Sequence, residues 1–293
     1  MRIIRYQKET QLQLAAVTDQ GDVYTLPQSD YLSLQQEAEG QGVTMLELVH
    51  AAIRDQQPIA ERLEELTLAV PIEAPEVWAA GVTYQRSREA RNYEATGGLA
   101  NALTFYDKVY DAERPEIFFK STAARTVGPG EEVQLRSDSH WQVPEPELGL
   151  VLGKQGSIIG YTIGNDMSCR DIEGENPLYL PQAKVWKRSC ALGPAIRLVE
   201  TVENPYDLQI ACRIYRHDET VVEGTANTGQ LKRKLEELAS YLVRDNELFE
   251  GTVLLTGTCI VPPDDFTLAD GDRIEIDIAG IGTLINPVAG AGR

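Results

Sequence analysis

The chain has 293 residues, of which 42% are hydrophobic, and a formal net charge of -18 at pH 7. This length and composition are enough for one large domain or two with a sizeable core, and they exclude a disordered or fibrous protein. The acidic charge, with no basic stripe to offset it, argues against nucleic acid or an anionic membrane as a partner. If the substrate is an anion, local cations must overcome this field.

No charged-then-apolar signal segment follows Met1, and no apolar run approaches the roughly 18 residues that a membrane-spanning helix needs. We therefore expect a cytoplasmic protein. The cysteines form no CxxC pair and are too sparse for a disulfide scaffold, so we expect them to be reduced. They are Cys169, Cys190, Cys212 and Cys259.

Residues 1–70 have the pattern of a small leading α+β domain. Alternating and apolar runs predict strands over 2–6, 12–17 and 23–26, and helical spacing predicts helices over 30–37, 44–55 and 59–65. From Val70 the sequence changes to strands and turns with scattered glycines. We place a domain boundary there, which leaves residues 71–293 as a second, larger domain.

Two helical segments, over 85–94 and 100–109, follow a strand that ends near Gly81. Gly97 and Gly98 lie between them. A long helical excursion of this kind between strands is a candidate lid that closes over a site and excludes water. An ordinary surface helical hairpin fits the same pattern.

A pair of glutamates lies at the mouth of the strongly apolar strand predicted over 145–152. Successive side chains of a strand alternate between faces, so Glu145 and Glu147 point the same way, about 7 Å apart along the backbone. Pro144 and Pro146 have no N–H to donate, which places this end of the strand at an edge, a bulge or a cleft wall.

A third acid, Asp166, ends the next predicted strand, over 157–166. Like charges held together cost free energy unless a cation or a shared proton offsets them. Three oxygen ligands on rigid elements suit a hard divalent ion, Mg²⁺ or Mn²⁺. A solvated rim of acids, common in a chain this acidic, is the alternative that the spacing leaves open.

The remaining pattern predicts structural elements. Apolar and alternating runs predict strands over 117–120, 208–215, 253–255 and 273–278, and leucines at helical spacing predict a helix over 230–243.

Several motifs follow one another in the order known from one enzyme family. They are Pro115-Glu-Ile-Phe-Phe-Lys120, Gly128-Pro-Gly130, Glu145-Pro-Glu147-Leu, Gly160-Tyr-Thr-Ile-Gly-Asn-Asp166-Met-Ser-Cys-Arg170-Asp171 and Leu254-Leu-Thr-Gly-Thr258. In these motifs the chain resembles the fumarylacetoacetate hydrolase family. The resemblance implies an α+β fold class: a mixed, highly curved β-roll with flanking helices, preceded by the smaller N-terminal α+β domain.

The resemblance also assigns roles to side chains. It implies three metal ligands for Mg²⁺, or Mn²⁺, with waters and substrate oxygens completing the octahedron: Glu145, Glu147 and Asp166. It implies a catalytic lysine that faces the substrate, Lys184, and three substrate-binding residues: Arg170, Lys120 and Thr258. The alternatives are a surface position for the lysine and a structural ion pair between Arg170 and Asp171.

One departure from the family motif carries information about the reaction. The hydrolases of the family have a histidine on the lid that pairs with a glutamate and activates water. In this chain Ser87 stands where that histidine would be, and Glu89 follows on the same helix. A dehydratase needs no water nucleophile, so it tolerates this loss, whereas a C–C hydrolase does not. A second departure is Glu173, where many members have glutamine.

A more particular resemblance is to the sugar-acid dehydratases of the family. It is carried by Arg170-Asp-Ile-Glu-Gly-Glu-Asn-Pro-Leu-Tyr-Leu-Pro-Gln-Ala-Lys184 and by Ser189-Cys-Ala-Leu-Gly-Pro194. It implies a hydro-lyase of pentose catabolism that converts 2-keto-3-deoxy-arabinonate to 2,5-dioxopentanoate. It also implies a homo-oligomer, either dimer or tetramer, with a small 2-keto acid as its partner.

The expected chemistry fits these residues. A 2-keto acid chelates Mg²⁺ through carboxylate and keto oxygens, and the metal stabilises the enolate that forms when a C3 proton leaves. Lys184 then either takes that proton or holds the enolate oxygen, while Glu89 or Ser87 assists departure of the C4 hydroxyl. The alternatives are a C–C hydrolase of acylpyruvates or 2,4-diketo-3-deoxy sugar acids, with His140 or Glu89 activating water, and a non-catalytic binder.

Overall fold

The computed structural model describes residues 1–96 and 105–292. Within these ranges the helices are α1 Tyr31–Gln41, α2 Met45–Ile53, α3 Gln85–Thr96, α4 Phe105–Asp111, α5 Arg170–Glu175, α6 Leu180–Lys184 and α7 Leu235–Val243. The predicted lid maps onto α3 and α4, but Gly97 and Gly98 lie outside the described residues. No helix in the described ranges is both long enough and apolar enough to cross a bilayer.

The strands of the first half are β1 Arg2–Lys8, β2 Gln11–Val17, β3 Val23–Thr25, β4 Leu68–Ala69, β5 Val77–Gly81, β6 Glu116–Ser121, β7 Thr126–Val127, β8 Val133–Gln134, β9 Gln142–Val143 and β10 Pro146–Leu152. Those of the second half are β11 Ile158–Asp166, β12 Ser168–Cys169, β13 Cys190–Leu198, β14 Gln209–Arg216, β15 Glu219–Asn227, β16 Val253–Leu255, β17 Arg273–Ile278 and β18 Gly282–Ala289. The predicted α+β fold class is confirmed.

A large mixed sheet contains the strand with the paired glutamates. Its order is β3-β2-β1-β13-β11-β10-β16-β5-β6, with β4 added to β1 and β7 added to β13. The strand β10 lies inside this sheet, antiparallel to both β11 and β16, and all seven of its residues are buried. A strand buried on both faces is expected to be a continuous apolar run, as this one is from Leu148 to Leu152.

A second sheet has the order β15-β14-β17-β18-β8. Its inward side chains and those of the large sheet form one hydrophobic cluster, which includes Leu148 and Leu150 of β10, Ile214 of β14 and Ile276 of β17. All four are fully buried, with 0% exposure. Strand β10 is therefore held by both sheets, which gives the carboxylates at its beginning a rigid base.

The strands of the N-terminal region are part of the large sheet. Strand β1 pairs antiparallel with β13, with Ile3 opposite Ile196. The helices above it begin at well-formed caps: Asp30 accepts from Ser33 N–H before α1, and Thr44 and Glu47 form a capping box before α2. The domain boundary expected near residue 70 stays a prediction.

Two sequence-based helices differ from the structure. The helix predicted over 59–65 is wrong: only Leu63–Glu65 forms a short 3₁₀ turn. The N–H of Ile59 donates to the carbonyl of Val23 at 2.9 Å, and Ile59 and Leu63 pack against the strand cluster instead of forming a helical face. The helix predicted over 230–243 begins later, at Leu235, after a 3₁₀ turn.

Candidate active site

The carboxylates of β10 and β11 meet at the end of the large sheet. Glu145 immediately precedes β10, Glu147 is its second residue, and Asp166 is the last residue of β11. The N–H of Asp166 donates to the carbonyl of Glu145 at 3.0 Å, which holds the two strand ends together. All three side chains are buried, and ligand oxygens from the three lie within 4.8 Å of one another. The structure thus brings together the three acids that the sequence singled out as metal ligands.

Lys184, at the end of α6, reaches into this cluster and is completely buried. Its Nζ lies 2.5 Å from Glu145 Oε2 and 3.1 Å from Asp166 Oδ2, and it donates to Ser168 Oγ at 2.6 Å. A fourth carboxylate, Glu173 of α5, lies 3.2 Å from the same ammonium. The alternative of a surface lysine at this position is therefore wrong.

Two further cations close the cluster. Lys120 of β6 is fully buried, and its Nζ lies 2.7 Å from Asp166 Oδ1 and donates to the carbonyls of Met167 and Lys184. Arg170 Nη2 donates to Glu145 Oε1 at 2.7 Å. Both residues, expected to bind substrate, therefore contact the metal-ligand candidates directly.

Glu147 differs from its neighbours in its electrostatic environment. Among the described residues it has no ion-pair partner within 4 Å, and its Oε2 accepts a hydrogen bond from Gly257 N–H at 2.6 Å. Burial raises the pKa of Glu147 well above its ordinary value, and the charges of Asp166 and Glu145 raise it further. The site therefore holds one carboxylate whose charge the protein leaves largely uncompensated.

A small chamber opens beside these acids. Glu145 and Glu147 form one wall, residues 80–82 and Phe118 another, and Ser87 of α3 and Thr258 complete it. Its volume is about 10 Å³, room for about one water molecule. Thr258 therefore lies on the chamber beside the acids, and its role in substrate binding stays a prediction.

The two lid residues differ in placement. Ser87 is 8% exposed, lines the chamber, and has no hydrogen-bond partner for its Oγ in the described ranges. Glu89 is exposed and accepts from Gln85 at 3.1 Å on the same helix. The geometry brings Ser87, and not Glu89, to the acids.

The neighbouring Arg170 and Asp171 make separate contacts rather than one ion pair. Arg170 bonds to Glu145, whereas Asp171 accepts from Ser139 Oγ at 2.6 Å and from the N–H of His140 at 2.8 Å. The His140 ring lies 2.9 Å from Asp171, and its side chain is 91% exposed. His140 therefore lies on the surface side of this contact.

Sequence reasoning missed one acid on the chamber side of β6. Side chains two apart on a strand share a face, so Glu116 lies on the face of Phe118 and Lys120, which point to the chamber and to Asp166. Glu116 is opposite Gly81, and a Cβ on Gly81 would lie 2.1 Å from Glu116 Oε2. The period of two in this strand was the signal that could have found it.

A family model and two relatives agree on the family to which this chain is similar. The family model described as "Fumarylacetoacetate (FAA) hydrolase C-terminal" matches residues 87–289. The chain is 49% identical over 227 residues to 2-dehydro-3-deoxy-D-arabinonate dehydratase of Saccharolobus solfataricus, covering 78% of this chain and 76% of the relative. It is 51% identical over 219 residues to "Probable 2-keto-3-deoxyxylonate dehydratase" of Haloferax volcanii, covering 75% and 74%.

Among solved structures, the chain is similar to "2-keto-3-deoxy-D-arabinonate dehydratase complexed with magnesium and 2,5-dioxopentanoate". The two have a TM-score of 0.82 and 38% sequence identity, and the match covers 100% of both chains. An apo form of a 2-keto-3-deoxy-D-arabinonate dehydratase matches with a TM-score of 0.83 and 40% identity, again over 100% of both chains. The similarity thus extends over the whole chain, the N-terminal region included.

Proposed function

The chain belongs to the fumarylacetoacetate hydrolase family, and we propose that it is a magnesium-dependent hydro-lyase of sugar-acid catabolism. Its substrate is a 2-keto-3-deoxy-pentonate, 2-keto-3-deoxy-arabinonate, and its product is 2,5-dioxopentanoate. The observation that carries the proposal is the buried group of Glu145, Glu147 and Asp166, which faces a chamber walled by Ser87 where the hydrolases have histidine.

The donor set fits a magnesium ion. Three carboxylates on two rigid strand ends offer hard oxygen ligands within 4.8 Å of one another. Glu147, with no cation against it among the described residues, has a charge that a metal ion would offset. When bound, a divalent ion would supply Lewis-acid stabilisation of negative charge on the oxygens of the keto acid.

Charge balance supports the ion. The cluster contains four carboxylates, from Glu145, Glu147, Asp166 and Glu173, and three cationic side chains, from Lys120, Lys184 and Arg170. With these groups ionised, the cluster carries one negative charge in excess, and Glu116 on the chamber side of β6 adds a second. A divalent cation offsets both charges. A buried site near neutrality avoids the large cost of an uncompensated charge.

The proposed reaction moves protons on three carbons. A proton leaves C3 and the C4 hydroxyl leaves as water once it has gained a proton, which gives a C3–C4 double bond. Loss of a C5 proton and return of a proton to C3 then give an enol, which tautomerises to the C5 aldehyde of 2,5-dioxopentanoate. The site must therefore supply a proton acceptor near C3 and a donor near the C4 hydroxyl.

We assign these tasks from the geometry. Lys184, which donates to Glu145 and Asp166, either accepts the C3 proton or holds the enolate oxygen by hydrogen bonding. In this structure its Nζ acts as a donor to both carboxylates, which suits the second task. Ser87, whose Oγ faces the chamber without a described partner, assists departure of the C4 hydroxyl.

The other residues that the sequence assigned to the site keep supporting roles in this proposal. Lys120 and Arg170 fix the positions of Asp166 and Glu145, and Thr258 contacts the substrate from the opposite wall. Glu89 acts on the C4 hydroxyl only if α3 moves, because its side chain is exposed in this structure.

The C–C hydrolase alternative has less support. It requires a base that activates water, and none of the chamber residues 80–82, Ser87, Phe118 and Thr258 is a histidine. His140, the other candidate, is 91% exposed and contacts Asp171 instead of the acids. A dehydratase has no need of such a base.

Cytoplasmic location and assembly into a homodimer or homotetramer are part of the same proposal. The cysteines Cys169, Cys190, Cys212 and Cys259 are free thiols, as expected in a reducing compartment. Sedimentation velocity of the purified full chain tests the assembly state. A monomer at micromolar concentration would contradict it.

The experiment that tests the function measures turnover of 2-keto-3-deoxy-arabinonate with and without Mg²⁺, with the product trapped as a semialdehyde. A parallel assay follows pyruvate release from acylpyruvates. We expect semialdehyde without pyruvate, abolished by EDTA and restored by Mg²⁺. Pyruvate release without semialdehyde would move the protein to the hydrolases. Exchange of the C3 protons in D2O, measured for wild type and Lys184→Met, separates proton abstraction from enolate binding.

A further inference from the structure

A second and larger pocket lies against the outer side of the chamber wall. It has a volume of about 560 Å³ and is lined by the first turn of α3 together with Tyr110, Gln230 and Cys259. The chamber and this pocket share a partition, because Ser87 and Thr258 line the chamber whereas their neighbours Arg86 and Cys259 line the pocket. The pocket therefore lies directly outside the proposed active site.

The first turn of α3 gives this pocket a positive end. The first hydrogen bond of the helix runs from the N–H of Arg88 to the carbonyl of Tyr84 at 3.2 Å, so the preceding N–H groups have no intrahelical acceptor. The helix dipole adds partial positive charge at the same end. Arg86 lines the pocket, is exposed, and forms no ion pair with any part of the chain that the structure describes.

A buried hydroxyl with only a weak partner also lies at this pocket. Tyr84 is 1% exposed and lines the pocket, and within residues 1–96 and 105–292 its hydroxyl has only the Cys259 thiol beside it. A thiol is a weak hydrogen-bond partner, so the hydroxyl gains free energy from a ligand that offers it an oxygen. A carboxylate at the N-terminus of α3 would accept from both the Tyr84 hydroxyl and the helix N–H groups.

Other cations lie along the same side. The guanidinium of Arg88 lies 4.7 Å from the centre of the Tyr110 ring, and Lys232 Nζ lies 4.0 Å from it. Lys232 is offset by Asp111 at 2.7 Å, and the exposed Glu89 follows on α3. Arg86 has no such acid against it, which makes it the main attraction for an anion on a chain with a net charge of -18.

The small chamber requires a place for the substrate outside it. About 10 Å³ holds one water molecule but no five-carbon keto acid, so part of the wall must move to admit one. The segment that divides the two spaces, from Val82 to Ser87, also carries Tyr84 and Arg86. A carboxylate held at Arg86 is thus already beside the part of the wall that opens.

We propose that this pocket is an anion antechamber: the carboxylate of the keto acid binds first at the α3 N-terminus, Arg86 and Tyr84, and then enters the chamber. The proposal rests on the function proposed above for the identity of the anion. It explains how a strongly acidic protein captures an acidic substrate. Arg86 is here a capture residue and takes no part in the chemical step.

Steady-state kinetics of Arg86→Gln test this role. We expect kcat/KM for 2-keto-3-deoxy-arabinonate to fall about fivefold to tenfold at low ionic strength, with kcat changed less than about twofold. The difference from wild type should shrink at about 0.5 M salt, where charges are screened within about 5 Å. The matched control is Arg54→Gln, which removes the same charge from an exposed position at the end of α2.

A binding measurement on metal-free protein tests the site without activity. Calorimetry with inorganic sulfate should detect weak binding by the wild type and by Arg54→Gln, at least about tenfold weaker binding by Arg86→Gln, and an intermediate loss by Tyr84→Phe. The carboxylates of the metal-free chamber repel sulfate, so the signal reports the pocket.

The outcomes separate this inference from the proposed function. Equal sulfate binding by wild type and Arg86→Gln, or an unchanged kcat/KM in that variant, would overturn the antechamber. A fall in kcat equal to the fall in kcat/KM would do the same, because it would place Arg86 in the chemical step. If the wild type binds sulfate through Arg86 but does not dehydrate the keto acid, the proposed function fails and the anion site stands.

Discussion

Two buried acids in this protein, Asp272 and Glu147, differ in how the chain compensates their charge. At the end of the second sheet Asp272, fully buried, accepts two hydrogen bonds from Arg216, at 2.8 and 2.7 Å, and one from the N–H of Ala269 at 2.8 Å. In the chamber Glu147, equally buried, accepts one hydrogen bond from Gly257 and has no cation against it among the described residues.

The difference separates a structural acid from a functional one. Asp272 and Arg216 form a closed, bidentate pair that satisfies both oxygens of the carboxylate, as expected of a contact that holds a turn against a sheet. Glu147 is held in place by the strand and by the hydrogen bond from Gly257 N–H. No cationic side chain among the described residues forms an ion pair with it, so a bound metal ion would have to offset its charge. A buried carboxylate with no cationic partner is therefore a better indicator of the functional site than burial or acidity alone.

The largest expected effect is that of Glu147→Gln. Removing one metal-ligand candidate should lower turnover at least about 1,000-fold, or about 4 kcal/mol of transition-state stabilisation. The same change removes an uncompensated buried charge, so the metal-free variant should melt at or above the temperature of the metal-free wild type. Mg²⁺ should raise the melting temperature of the wild type only.

Thermal unfolding with EDTA and with Mg²⁺, together with turnover of the keto acid, checks this prediction. A Glu147→Gln protein that keeps a tenth of the activity, or that is stabilised by Mg²⁺ like the wild type, would contradict the comparison. It would place Glu147 with the structural acids.

The next effect is that of Lys184→Met, which removes the cation between three carboxylates. We expect turnover to fall about 100-fold or more, because the group that touches the reacting keto acid is lost. The free energy of unfolding should also fall by about 3 kcal/mol, because Glu145, Asp166 and Glu173 lose their shared partner. Chemical denaturation and steady-state turnover measure the two effects.

The matched control for this change is Lys154→Met. Lys154 is 65% exposed and lies 3.8 Å from Glu39, also on the surface, so its loss should change stability by less than about 0.5 kcal/mol and leave turnover unchanged. Near-normal turnover in Lys184→Met would remove the lysine from the proposed mechanism.

The sequence predicts the acids of the site because their placement follows from local rules. Alternation along β10 puts Glu145 and Glu147 on one side, and the end of the next strand adds Asp166. The lysines depend on distant pairing: Lys184 reaches the acids from α6 and Lys120 from β6, which is separated from β10 by β5 and β16. Their roles came from the family resemblance and not from spacing.

The fold likewise has features that follow from local sequence and features that depend on contacts between distant residues. Helical spacing predicts α1 and α2, although α1 extends to Gln41, beyond the predicted end at residue 37. The apolar residues of 59–65 fit a helical pattern and a strand cluster equally well, and tertiary packing decided for the cluster. Glu116 was missed because the strand predicted over 117–120 begins one residue too late. The observed strand begins at Glu116, and its alternation places this side chain on the face of Phe118 and Lys120.

A smaller effect is expected at the structural acid. Asp272→Asn should lower the free energy of unfolding by about 2 kcal/mol, because the amide cannot accept from Arg216 at both positions and the guanidinium loses its counter-charge. Turnover at saturating substrate and Mg²⁺ should remain that of the wild type. Denaturant unfolding and steady-state kinetics give both numbers, and a loss of turnover would mean that the second sheet is coupled to the chamber.

The smallest expected effects distinguish the two lid residues. Ser87→Ala should lower kcat about tenfold, or about 1.4 kcal/mol, because the only change is loss of a hydroxyl that faces the chamber and assists departure of the C4 hydroxyl. Glu89→Gln should change kcat less than about twofold, because the side chain is exposed and bonds to Gln85. Parallel kcat measurements at saturating Mg²⁺ compare them, with Ser87→Thr as the variant that keeps the hydroxyl. If Glu89→Gln were the more damaging change, α3 would have to move during turnover until Glu89 reaches the acids, and Ser87 would be only a filler of the wall.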